Sequence, residues 1–324
     1  GAVGNLINVR TFVAMGICDG VNVGFTWLAA SDLAYVVFSL VDSFAMIFRA
    51  TEGLSAYSVW FPVEPGAVHL YAINVGNGLY SLSVMTTDLV TIIRCLSVVR
   101  PLQFRKIPSW RKMVMTLSAM TTSSLVSVIA LFIYMDIVPK FDVNVKAIRL
   151  VLWMSPKRFE VRSYIFGVRD AFLPFSSQII LVVCSIIMAD ALRKASKFRQ
   201  NHSTSPNVRT ASATSLGEAG WTKRKPEHGP GSTSTLGGQE LQVVRQMLLI
   251  SSVALLCNLP KVSLGICGIV IPDFTTSLVY YNVYNVLLGI RELFQTLNAS
   301  LHFLIYWSSN SKFRKHCMTS EVIQ

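Results

Sequence analysis

Charge is scarce in this chain. Of its 324 residues only 14% are Asp, Glu, Lys or Arg, against 52% apolar, and the mean hydropathy is +0.49. An ordinary soluble domain carries about 25% charge, so that class is excluded and a bilayer becomes the natural solvent. Acids are scarcer than bases, 17 Asp and Glu against 29 Lys and Arg. The resulting charge of +12 falls in short clusters between long apolar runs. That is not the mixed basic surface that binds nucleic acid, and it suits anionic lipid headgroups and cytosolic partners. Cysteine is sparse too. Cys95, Cys184, Cys257 and Cys267 stand at scattered spacing, which excludes a secreted disulfide framework and leaves small apolar fillers. No HExxH, GxSxG or phosphate-loop pattern occurs, and His69, His202, His228, His302 and His316 are dispersed, so no enzyme is indicated.

What the chain has is long apolar runs. Crossing a hydrocarbon core takes about 20 helical residues. Residues 113–135 and 171–189 contain no charge at all, and further apolar segments run over 23–48, 68–93, 246–272 and 274–307. The opening GAVGNLINVRTFVAMG is apolar but short, and reads as the cytoplasmic half of a first span. Seven crossings are therefore expected: an all-α membrane protein, a seven-helix bundle over residues 1–318 with a short amphipathic C-terminal helix and a tail at 319–324. No second half echoes the first, and no pair of broken apolar segments stands in matching places, as a transporter would require.

Basic residues set the orientation, since they stay on the cytoplasmic side. Arg100, Arg105, Lys106, Arg111 and Lys112 follow the third run without one acid, and residues 193–245 carry nine Lys and Arg against Glu218, Glu227 and Glu240. The connection at 49–67 is mixed in sign, with Arg49 against Glu52 and Glu64. The N-terminus is thus expected outside and the C-terminus inside. The Ser, Thr, Gly and Pro of residues 197–238 cannot bury enough apolar area to fold, and predict a disordered cytosolic loop. Cys317 follows the basic KFRKH and is a candidate for acylation.

The chain resembles a rhodopsin-like G-protein-coupled receptor, in an ordered series of motifs. Gly4-Asn5, Leu28-Ala29-Ala30-Ser31-Asp32, Trp60, Arg94 with Pro101, Pro174, Cys257-Asn258-Leu259-Pro260 and His302-Phe303-Leu304-Ile305-Tyr306 resemble that family's patterns in its order. Phe313-Arg314 then fits the amphipathic eighth helix. The stretches IIRCLSVVRPL, ELQVVRQ, CNLPK, GIRELF and HFLIYW most resemble molluscan chemosensory receptors and related invertebrate peptide receptors. Departures are Ile93 and Cys95 around the motif arginine, and His69 where the family has a disulfide cysteine, with no Cys between residues 136 and 166.

The resemblance implies a plasma-membrane receptor that passes an extracellular signal to a heterotrimeric G protein. It makes Arg94, Tyr306 and Pro101 the coupling residues, although an arginine at a helix end also serves simply to snorkel. It makes Pro260, Asn258 and His302 a switch. It groups Asp32, Ser83 and Asn298 as oxygen ligands for sodium, the one ion implied and otherwise no cofactor; the alternative is a buried hydrogen-bond network without an ion. Lys261, Glu292, Asp170, Arg291, Asn77 and Tyr80 face the ligand cavity, which implies a polar small molecule or peptide. The same charges can instead pair with one another, Lys261 with Glu292 for example, as an internal lock. Gly76 and Thr296 stand where amine receptors carry an acid and opsins a lysine. A signalling-dead scaffold or decoy remains the alternative, because of Ile93 and Cys95.

Overall fold

The computed structural model describes residues 1–17, 20–99, 110–203, 238–271, 274 and 278–321. Pro101 and residues 204–237 of the expected disordered loop lie outside them. The described chain is a bundle of helices: α1 (Ala2–Ala14), α2 (Gly20–Leu54), α3 (Pro65–Val99), α4 (Trp110–Phe132), α5 (Lys157–Ile165), α6 (Leu173–Ser203), α7 (Gly238–Val270), α8 (Tyr281–Ser309) and α9 (Ser311–Glu321). A π-helical segment, Phe166–Phe172, joins α5 to α6. Residues 197–203 and 238 are thus helical, not loop, and the expected tail is helical through Glu321.

Five stretches among the described residues are long and apolar enough to cross a membrane: Gly20–Leu54, Pro65–Val99, Trp110–Phe132, Lys157–Lys194 and Gln242–Val270. Helix α1 spans only 13 residues. Helix α8 has the length, yet it carries Asn285, Arg291, Glu292, Gln295, Asn298 and His302, which dilute its hydropathy. The burial pattern is inverted relative to a water-soluble protein. Phe44, Ile47, Ile186 and Leu256 are more than half exposed, while Asn5, Asp32, Ser83, Asn258, Lys261, Asn298 and His302 are buried. Long apolar helices with apolar outer faces mark a membrane protein.

Lipid offers no hydrophobic drive for one helix to leave it for another, so close packing and interhelical hydrogen bonds hold such a bundle. The helices close a ring in which α1 packs on α2, α8 and α9, α2 on α3 and α4, α6 on α7, and α7 on α8; α3 touches α2, α4, α6 and α7. Gly78 allows the close approach of α3 and α4: a Cβ there would lie 2.6 Å from Val128 Cγ2, and Ser124 Oγ donates to the Gly78 carbonyl at 2.6 Å. Asn5 Nδ2 donates to Ala299 O at 2.8 Å, tying α1 to α8. Ser177 Oγ donates to Asp88 at 2.8 Å, tying α6 to α3.

One element departs from the all-α expectation. Strands β1 (Met135–Asp142) and β2 (Ala147–Met154) form an antiparallel hairpin, with Asp142 opposite Ala147 and Met135 opposite Met154. A lone hairpin is marginal in water. This one is tied down. Leu150 N donates to Pro62 O at 2.9 Å and Leu152 N to Glu64 Oε2 at 3.0 Å. The buried Arg149 guanidinium reaches Glu52 at 2.8 Å and Asp142 at 2.6 Å. The mixed charge of the 49–67 connection therefore serves to hold the hairpin.

Candidate functional site

Helix α3 runs the length of the bundle, and two sets of buried polar side chains sit along it. Near its middle, Asp32 of α2 is 1% exposed. Ser83 Oγ donates to its Oδ1 at 2.5 Å, and His302 Nδ1 lies 2.6 Å from its Oδ2. One carboxylate thus gathers α2, α3 and α8. Of the three side chains expected to hold sodium, Ser83 is spent on Asp32, and only Asn298 Oδ1 has no hydrogen-bond partner. With His302 on the second carboxylate oxygen, the donor set fits a closed network better than a cation held by oxygens.

Below this network, Tyr306 is fully buried among Phe12, Phe25 and Phe313, with ring centroids 4.9, 5.4 and 5.8 Å away. Its hydroxyl has no hydrogen-bond partner and so does not join the half-buried Arg94 in this conformation. Ile93 packs on the same apolar cluster. Cys317 is buried on the face of α9 that carries Phe313, four residues away.

Towards the opposite end, Tyr80 of α3 is fully buried and its hydroxyl donates to Asn258 Oδ1 of α7 at 2.6 Å. Pro260 follows within α7, where it removes the donor that would close on the Leu256 carbonyl. Lys261 is buried next, its Nζ 5.3 Å above the Tyr80 ring and 3.5 Å from Asp170. The π-helical segment explains how two neighbours, Arg169 and Asp170, are both buried: its extra residue per turn rotates them inward, as such segments do at many sites. Gly265 of α7 faces that backbone, and a Cβ there would make ordinary contact with Asp170 O at 3.4 Å. Arg169 reaches both Asp170 oxygens, at 3.0 and 3.4 Å. Glu292 has Arg291 at 3.6 Å. The lock imagined between Lys261 and Glu292 is therefore replaced by two other pairings, because their helix faces meet different neighbours.

A small, open cleft lies between α2, α3 and α8, lined by Asp42, Gly76, Asn77, Glu292, Gln295 and Tyr35 among others. Of the residues expected in a ligand cavity, Asn77 and Glu292 line this cleft, and Lys261 and Asp170 do not. Sequence reasoning missed Asp42, Tyr35 and Gln295. Asp42 takes His69 Nδ1 at 2.6 Å, and Tyr35 donates to Gln295 Oε1 at 3.4 Å. An acid ten residues after Asp32 in the same apolar run was the available signal for Asp42. Outside the membrane helices, the Asp142 carboxyl is held below the usual carboxylate range, first by the Asn144 backbone N–H at 2.9 Å and also by Arg149. Compared with known proteins, this chain matches no family model and no curated sequence.

Proposed function

We propose that the chain is a rhodopsin-like G-protein-coupled receptor of the plasma membrane. On this reading a polar, charged extracellular ligand, a chemosensory cue or a peptide, acts at the Lys261 end and a heterotrimeric G protein at the Arg94 end. The observation that carries it is the run of buried polar side chains along α3: Lys261 and Asp170, then Tyr80 with Asn258, then Asp32 with Ser83 and His302, ending at Tyr306. Such groups are expensive inside a bilayer and mark function by default. Here they bridge α2, α3, α7 and α8, the helices that would have to move. Counting α1 as half of a first span and α8 as an amphipathic seventh gives seven crossings, with the N-terminus outside and the C-terminus in the cytosol.

No covalent chemistry is needed. A receptor requires two helix arrangements of similar energy and a ligand that binds one more tightly, so that occupancy shifts the populations. Loosening the helices around Tyr306 would open the Arg94 end to the G protein. The deciding measurement is nucleotide exchange on purified heterotrimers by the full chain in reconstituted membranes. Basal exchange above protein-free membranes, reduced at least tenfold by Arg94→Ala, is expected. Exchange at the protein-free level with every heterotrimer class rules the reading out.

A further inference from the structure

The hairpin is built inside out. Residues directly opposite one another in a sheet share a face, so the register puts Ile137, Pro139 and Phe141 on one side with Ile148, Leu150 and Met154. All six are apolar and exposed, Phe141 by 58% and Ile148 by 71%. Met135 and Leu152, apolar too and less exposed, complete that face. The other face carries every charge of the two strands, Asp136, Lys140, Asp142 and Arg149, and through Arg149 it is turned to Glu52 of α2. An antiparallel sheet with one wet face does the reverse, keeping its apolar side on the core. Something apolar therefore covers the outer face. It is not the cleft, which no described hairpin residue lines.

Of three possible coverings, two fit poorly. An added strand would pair with the free edge of β1. Leu150 turns its N–H and its carbonyl to residues 62–64, so Pro139 opposite it, and by alternation Ile137 and Phe141, point their backbone groups out along that edge. Pro139 has no N–H, and the Ile137 N–H is bonded to Asp136 Oδ1 at 2.8 Å, so two of these three positions offer a strand no donor. A second folded surface, another copy of this chain included, needs about 20–30 residues a side for a stable contact, and this face exposes six. Lipid has neither requirement, and it is adjacent. The membrane helix α4 ends at Phe132 and β1 starts at Met135, and Ile129 and Ile133, one turn apart and more than half exposed, carry the lipid-facing surface up to it. We propose that the hairpin is an interfacial anchor whose apolar face rests on the phospholipid bilayer beside α4. Its edge carbonyls would go unmet in hydrocarbon, which sets its level at the boundary of acyl chains and headgroups, with the exposed Lys140 and Lys146 against the phosphates. The anchor goes beyond the receptor reading and does not depend on it.

The test is spin labelling of the full chain in phospholipid nanodiscs holding one copy each. A label is placed at Ile148→Cys on the apolar face or at Lys140→Cys on the charged one, and the signal of the unsubstituted chain is subtracted. Oxygen concentrates among acyl chains, whereas a water-soluble nickel chelate stays outside them. The ratio of oxygen to nickel collisions should be several-fold higher at 148 than at 140. Adding Phe141→Glu, a change at an exposed position, should lower the ratio at 148 to that at 140. Equal ratios at the two positions overturn the anchor. A high ratio at 148 that survives Phe141→Glu assigns the shielding to the chain itself, and overturns it as well. Shielding of 148 that appears only when several copies share a disc replaces the anchor with self-association.

Discussion

At His302 an imidazole lies 2.6 Å from a carboxylate that is itself closed off from solvent, and this contact decides what Asp32 can bind. Replacing the ring by a smaller amide in His302→Asn frees one carboxylate oxygen and adds an oxygen ligand near Asn298. The variant should melt higher in sodium chloride than in choline chloride, whereas the wild type should not distinguish the two salts. Sodium-dependent melting of the wild type would show that an ion competes with the imidazole. Ile93 is the second informative position. On the proposed receptor reading, an acid at position 93 would add a restraint on Arg94 in the inactive arrangement. A charge-assisted hydrogen bond is worth about 1.5–3 kcal/mol, so Ile93→Asp should lower basal nucleotide exchange by roughly tenfold. Unchanged basal exchange would mean that Ile93 sets no part of the equilibrium.

Among the elements, the hairpin is where sequence reasoning fell furthest short. Long membrane helices are legible because hydropathy integrates over some 20 residues, and five of the expected spans reappear, four with ends moved by at most six positions and the fifth starting 14 residues earlier, at Lys157. AIRLVLWM is only eight residues long and looks like either a short strand or a stub of buried helix, so periodicity alone could not assign β2. Its stability depends on partners far away in sequence. Arg149, Glu52 and Asp142 are side chains whose meeting no local pattern announces. Arg149→Met leaves two carboxylates without their cation and should destabilise the chain by about 3–5 kcal/mol, read by thermal unfolding. The same cluster sets a pH dependence. Because the folded Asp142 pKa is lowered, its contribution to stability is complete above the ordinary aspartate value of about 4 and is lost as pH falls through the lowered one. Trp153 fluorescence should therefore report hairpin loosening in acid, and in Asp142→Asn that acid transition should disappear.

Across the whole molecule, the charges that face lipid headgroups and those buried in the bundle follow different rules. The individual site residues were legible, since an Asp, Lys or Glu inside an apolar run is visible at once. Their pairings were not, because whether Lys261 meets Asp170 or Glu292 depends on helix rotation and on the extra residue of the π-helical segment. The proposed orientation, by contrast, rests on the basic clusters, which resist translocation: nine Lys and Arg lie between residues 193 and 245. The turn at residues 143–146 of the hairpin adjoins the opposite ends of the helices from those that flank residues 204–237. A protease site inserted at 144 should then be cut in intact cells, and one inserted at 220 only after permeabilisation. The reverse pattern would turn the bundle over, leaving Arg94 to the outside and the charged cleft to the cytosol. Neither a G protein at Arg94 nor an extracellular ligand at Lys261 is compatible with that arrangement.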